Sequence, residues 1–249
     1  KLVPGCEGSL KLKLVNARFC RVRTCMICSW RKSLRWKAKA YESLPKFLID
    51  YPNYRFLFLT LTVKNCQITD LRTTIDWMNQ SFTRLSRLKD FPGLGWIKSV
   101  EVTRGRIGDA HPHFHALLCV KVAYFGRNYL SQKKWVEMWR RSLRVDYDPM
   151  LDVQALKAKD SMIGLIAEVI KYQTKPSNLL SDRHWFLEYT FQMHNTKAIT
   201  VGGILRDYFK ALEKEPEDLI GQDNEGDVDE GHLYFGWKRD KKKYKLVDS

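Results

Sequence analysis

Three histidines at alternate positions of one apolar run constrain this chain more than any other feature. The run reads HPHFHALLCVKV over 111–122. Side chains alternate along an extended strand, so His111, His113 and His115 share one face, and Phe114, Ala116 and Leu118 share the other. The second face demands a packed layer against it. The first would be self-repelling whenever its imidazoles are protonated, and is satisfied best by a bound metal ion. The segment WIKSVEVT at 96–103 reads as a partner strand, joined by the basic, Gly-containing connection RGRIGD at 104–109 to form a β-hairpin. Glu101 alternates with Val100 and Val102 and can share the histidine face. Imidazoles suit Zn, Mn, Fe or Ni, and a carboxylate shifts the preference towards Mn²⁺ or Mg²⁺. His113 and His115 are therefore candidate metal ligands. Glu101 and His111 remain alternatives for the third.

The rest of the chain supplies the layers. YRFLFLTLTV at 54–63 is apolar on both faces and predicts a buried central strand. Leu71, Ile75, Met78, Phe82 and Leu85 fall at helical spacing and predict a helix over 70–88, capped by Thr69 or Asp70. A helix over 132–144 would bury Trp135, Met138, Trp139 and Leu143. A strand is expected over 151–156 and a helix over 160–175, capped by Asp160 or Ser161 and stopped by Pro176. Further helices are expected near 181–194 and 203–214, a short hairpin strand over 10–15, a basic helix over 29–43 and a last strand over 232–238. This order predicts an α+β fold with a central antiparallel β-sheet flanked by helices. The expected division is a Cys-rich segment with its basic helix at 1–45, the main domain at 46–212, and an acidic linker with a C-terminal strand at 213–249.

Charge and cysteine usage narrow the function. The 249 residues hold 43 Lys plus Arg against 28 Asp plus Glu, a net charge of +15, which favours a polyanionic partner. Nine acids lie between 213 and 230, so the remainder is more basic still. No apolar run reaches the roughly 18 residues of a membrane span, and no membrane association is expected. Of six cysteines, Cys6, Cys20, Cys25 and Cys28 lie within the first 28 residues. That clustering points to a structural Zn²⁺ site in a reducing compartment rather than to a disulfide framework. Four thiolates leave no open coordination position, so this zinc would not be catalytic. Cys66 and Cys119 read as core residues. Beyond the cysteines, Trp30-Arg-Lys-Ser-Leu-Arg-Trp-Lys37 interleaves cations with indoles, as DNA-contacting surfaces do. Arg31, Lys32, Arg35 and Lys37 are candidate DNA contacts, together with Arg104 and Arg106 of the hairpin loop and Lys171 further along the chain.

On a helix over 160–175, Glu168 and Tyr172 stand four residues apart on one face, with Lys175 continuing it and Lys171 alongside. Ile163, Ile166 and Ile170 occupy the other side. A tyrosine, a metal centre and a basic surface are the parts needed for a transesterification at phosphorus, with a 3′-hydroxyl as leaving group. A cation at Lys171 or Lys175 would stabilise the phenolate, and Glu168 could activate water against the resulting phosphotyrosine.

FLTLT at 58–62, HPHFH at 111–115 and EVIKYQTK at 168–175 together resemble the rolling-circle plasmid replication initiators of the HUH endonuclease superfamily, in the subgroup with Glu four residues before Tyr. ARFCRVRTCMICSWRKS at 17–33 is similar to the Cys-rich opening of that subgroup, with Met26 where relatives commonly carry Pro. The resemblance covers roughly residues 6–210. It implies a ferredoxin-like fold with the histidines on a middle strand and the tyrosine helix alongside. It also implies His113 and His115 as the metal pair, Glu101 as the completing carboxylate, Tyr172 as nicking nucleophile and Glu168 as the hydrolytic residue. The expected partners are single-stranded or hairpin origin DNA and a host helicase and DNA polymerase, in the bacterial cytoplasm. The rival readings are a transposase or relaxase of the same chemistry and a non-catalytic zinc-ribbon DNA-binding protein. A metallohydrolase of small substrates is disfavoured by the charge.

Overall fold

Tyr54–Thr62 forms a nine-residue strand (β3) in the middle of a five-stranded sheet. The computed structural model describes residues 2–4, 10–12, 20, 22, 24–155, 166, 169, 170, 182–210, 234–238 and 243–247. These belong to two compact units, Cys20–Glu213 and a second built from Lys1–Phe19 with Lys214–Ser249. In the second unit, β1 (Leu2–Pro4) pairs antiparallel with β2 (Leu10–Leu12), and β8 (Tyr234–Lys238) with β9 (Lys243–Val247). β9 was not legible in the sequence, being short and lysine-rich.

The larger unit runs α1 (Met26–Asp50), β3, α2 (Leu71–Ser86), β4 (Gly95–Arg104), β5 (Ala110–Lys121), α3 (Gln132–Leu143), β6 (Leu151–Ala155), α4 (Arg183–Gln192), β7 (Ile199–Gly203) and α5 (Leu205–Lys210). The sheet order is β6-β3-β5-β4-β7, antiparallel throughout, with the histidine strand β5 at its centre. The expected α+β class with helix-flanked antiparallel sheet is borne out.

Strand alternation builds two cores. Phe114, Ala116 and Leu118 join Leu57, Leu59 and Leu61 under α2, α3 and α4. Leu117 and Cys119 join Phe56, Phe58 and Ile97 under Ala40, Leu44 and Phe47 of α1 and Leu205 and Phe209 of α5. Ile166, Val169 and Ile170 are buried in this second cluster. Each large apolar side chain so enclosed contributes about 1.5–3 kcal/mol. The stripes predicted for α2 and α3 are buried as expected.

Four expectations change. Helix α1 runs past Pro45 to Asp50 rather than ending near residue 43, because Leu44 and Phe47 are wholly buried and that packing outweighs the lost backbone bond. Asp70 precedes α2 from within a 3₁₀ turn, at φ −98° and ψ 2°, and its carboxylate makes no capping bond. A strand, β7, occupies 199–203 where only a helix from 203 was expected; it completes the sheet edge beside β4. Gly203 there adopts φ +62°, and a Cβ would lie 2.0 Å from the Leu94 carbonyl oxygen. Cys119 is buried as predicted, whereas Cys66 is only half-buried and bridges Ala110 through its backbone.

Candidate metal centres and nucleic-acid surface

The β4–β5 register places Glu101 directly opposite His113 and Ser99 opposite His115. Both histidines thus share the α1-side face with Glu101. Glu101 Oε2 lies 3.0 Å from His115 Nε2 and 3.4 Å from His113 Nε2. One donor atom from each of the three residues falls within 4.8 Å of the others. The side chains are only 11–13% exposed. Burial pushes the Glu101 carboxyl up, but hydrogen bonds from His113 and His115 and their charge outweigh it and hold the group well below the usual carboxylate range.

The surroundings orient the imidazoles for coordination. His113 Nδ1 is 3.3 Å from the His111 carbonyl, to which only an N–H can donate, so release of the proton that Nε2 shares with Glu101 would leave a lone pair aimed at the centre. His115 Nδ1 is 3.2 Å from the Thr60 hydroxyl, which can accept from it. Phe58 stacks on the His115 ring at 5.4 Å between centroids. Two imidazole nitrogens and a carboxylate oxygen, converging with their other polar atoms satisfied, fit a divalent cation such as Mn²⁺ or Mg²⁺.

His111 faces the same way but stands outside this group. Its Nδ1 donates to Asn65 Oδ1 at 2.7 Å, and Asn65 Nδ2 donates to Asp109 Oδ2 at 2.6 Å. Burial, then the neighbouring His113, lower the His111 pKa, and Asp109 opposes them. Of the two candidates for third donor, the geometry brings in Glu101.

A second cluster joins Cys20, Cys25 and Cys28, whose sulfurs also lie within 4.8 Å of one another. Cys20 Sγ and Cys28 Sγ are 3.5 Å apart. Cys25 is the N-cap of α1. Burial raises its thiol pKa, but the amides of Cys28 and Ile27 and the two neighbouring thiols outweigh burial and leave it lowered, which favours a thiolate for metal binding. Thr190 of α4 donates to Thr24 at 3.1 Å and ties this loop to the domain. Cys6 lies outside the described residues. So do Glu168, Lys171, Tyr172 and Lys175, and the acidic stretch 213–230.

Among the candidate DNA contacts, Lys32 and Arg106 are exposed, and Arg31, Arg35 and Lys37 are half-buried. Arg104 pairs with Asp182 at 2.7 Å, the residue that caps α4. The indole pattern splits: Trp36 packs near Phe209, and Trp30 is exposed. Among the described residues, no helix is long and apolar enough to cross a membrane. Sequence reasoning missed Thr60, Phe58 and Asn65 as supports of the centre. Thr60 and Thr62 were visible as two polar residues on one face of an apolar strand.

On the central strands of an antiparallel sheet, in a strongly basic chain, two imidazoles and a carboxylate form a group that could hold a metal ion. Residues 11–245 match the family described as "Replication protein", and the chain belongs to that family. It is similar to Protein rep of Streptococcus pneumoniae serotype 2 (strain D39 / NCTC 7466), at 35% identity over 232 residues, 89% of this chain and 72% of the relative. It is similar to Protein rep of Lactiplantibacillus plantarum, at 33% over 238 residues, 86% and 74% of the two chains. A Replication protein of Staphylococcus aureus is 30% identical over 213 residues, 78% and 91%. No solved structure matches the chain. The expectation of a DNA replication protein is borne out, and these relatives support an initiator.

Proposed function

We propose that this replication protein initiates rolling-circle replication of a plasmid, nicking one strand at the double-strand origin in the manner of the HUH endonucleases its sequence resembles. The convergence of Glu101, His113 and His115, donor atoms within 4.8 Å, carries the reading. The burial of Ile166, Val169 and Ile170 beside Phe58, Ile97 and Leu117 supports it. These are apolar residues of the segment that bears Glu168 and Tyr172, and Phe58 is the residue stacked on His115. On this reading the sheet is the ferredoxin-like core of that superfamily.

Mn²⁺ or Mg²⁺ held by Glu101, His113 and His115 would supply polarisation of the scissile phosphodiester. The Tyr172 oxygen attacks phosphorus. A phosphotyrosine bond to the 5′ side forms as the bond to the 3′ oxygen breaks, and that oxygen takes up a proton to become the free 3′-hydroxyl that primes synthesis. Lys175 or Lys171 stabilises the phenolate, whose ordinary pKa near 10 is otherwise too high. At termination Glu168 takes a proton from the water that hydrolyses the adduct. Cys20, Cys25 and Cys28 would hold Zn²⁺ and brace the entry to α1. Arg31, Lys32, Arg35, Lys37, Arg106 and Arg104 contact the DNA backbone, and a host helicase and polymerase extend the primer.

The test is a labelled origin hairpin with Mn²⁺ omitted and then restored. Cleavage and a covalent adduct are expected only with metal. Tyr172→Phe removes the adduct, and an adduct that survives this change ends the assignment. Glu168→Gln still nicks and fails to terminate.

A further inference from the structure

Beside the metal centre the sheet edge opens into a cleft of ≈ 800 Å³. Thr60 and Thr62 of β3 line it, and their cross-strand neighbours are His115 and His113. Because the Thr60 hydroxyl also contacts His115 Nδ1, the cleft and the centre share a wall. Its far side is formed by Lys133, Val136 and Arg140 of α3, and its lip by residues 148–152. Met150 on that lip is 78% exposed, an unbranched apolar side chain facing solvent at the mouth of the cleft.

The charges are arranged unevenly. Arg140 is committed to Asp148 at 3.1 Å, and Glu137 to Lys134 at 3.5 Å. Lys133 and Asp152 line the cleft and have no ion-pair partner among the described residues. Asp152 stands opposite Thr60 in the sheet, and its Oδ2 accepts from Gln154 Nε2 at 2.6 Å. Its other oxygen has no donor among the described residues. A simple anion would be repelled by Asp152 and a simple cation by Lys133. A nucleotide satisfies both, offering phosphate oxygens to an ammonium and an amino group to a carboxylate, with a flat ring to lie on aliphatic side chains.

We infer that this cleft seats one unpaired nucleotide next to the scissile phosphate, with Lys133 on its phosphate and Asp152 accepting from an amino-bearing base edge. Thymine, which lacks an exocyclic amino group, is disfavoured at that position. The inference rests on the nicking reading and adds a sequence-selective subsite to it.

Binding of single-stranded origin oligonucleotides to Tyr172→Phe protein, read by fluorescence anisotropy, separates the steps. An abasic site, then thymine, is moved through each position around the nick, with nicking by the wild-type protein followed in parallel. One position is expected at which either replacement weakens binding about tenfold. Asp152→Ala, which removes the acceptor oxygens, abolishes the discrimination at that position and leaves the others as they were. Lys133→Ala weakens binding to every sequence alike and lowers the salt slope by about one. Asp152 and Lys133 lie at the surface, so circular dichroism should show both variants folded. Uniform affinity for all abasic strands, with wild-type nicking intact, overturns the subsite alone. So does a positional penalty that persists undiminished in Asp152→Ala. Failure of the wild-type protein to nick any origin strand overturns the proposed function and the subsite with it.

Discussion

Glu101, His113 and His115 stand on neighbouring strands at the middle of the sheet, whereas Cys20, Cys25 and Cys28 stand on a loop and the first turn of one helix. Each trio brings its donor atoms within 4.8 Å. What holds them there differs. The first is fixed by paired strands whose other face, at Val100 and Phe114, is wholly or almost wholly buried. The second joins an exposed Cys20 to Cys25 and Cys28, which are only half-buried. At the sheet, the fold supplies the geometry for the ion. At the cysteines, a bound ion would supply much of the energy for the local fold. The same trio of donors can therefore be a reactive centre or a structural staple, according to which side of that exchange it sits on.

Substitution at the two sites should separate these roles. Cys25→Ser is expected to lose zinc and to cost on the order of 3–5 kcal/mol of stability, read by metal analysis and a thermal melt. Full zinc loss with an unchanged melt would break the contrast. Glu101→Ala is expected to do the reverse. Metal-dependent cleavage of an origin strand falls about 10²–10³-fold, and the melting transition stays close to the original. Unfolding of this variant would place Glu101 among the structural residues.

The back of the histidine strand offers a subtler probe. Lys98 is buried between Phe82 and Phe114, and its Nζ donates to Asn79 Oδ1 at 2.5 Å. Burial lowers its pKa from 10.5 to about 7. Between those values the unfolded chain holds the proton and the folded chain does not, so stability rises as pH climbs from 7 towards 10. Lys98→Met should flatten that rise and add about 2 kcal/mol at neutral pH. Urea melts at pH 7 and 9 check both, and an unchanged slope would assign the rise to other groups. The smallest effect belongs to Thr60→Val. It removes the hydroxyl beside His115 and should weaken metal binding about tenfold with little change in stability. Titration calorimetry with Mn²⁺ measures it, and equal affinity would remove Thr60 from the support of the centre.

Much of the architecture was legible because it repeats a period. The stripes of α2 and α3 and the alternation in β3 and β5 each declare one buried face over several turns or residues. The errors fell where a single contact decides. The basic helix was expected to end at residue 43, yet Leu44 and Phe47 on either side of Pro45 are fully buried and carry the helix through. Ile199–Gly203 is short, ends in two glycines and becomes a strand only because Gly95–Ser99 lies beside it. Asp70 has the chemistry of a cap and the wrong backbone for one.

The candidate site divides along the same line. Alternation within one strand was enough to align His111, His113 and His115, since that depends only on the local pleat. Composition was enough to indicate a polyanionic partner, and spacing enough to group the cysteines. Whether His111 or Glu101 completes the histidine pair depended on the register between β4 and β5 and on Asn65 drawing His111 aside. The burial of Lys98 and the cleft between β3 and α3 likewise arise from segments distant in sequence. Those are relations between elements, and only packing in three dimensions sets them.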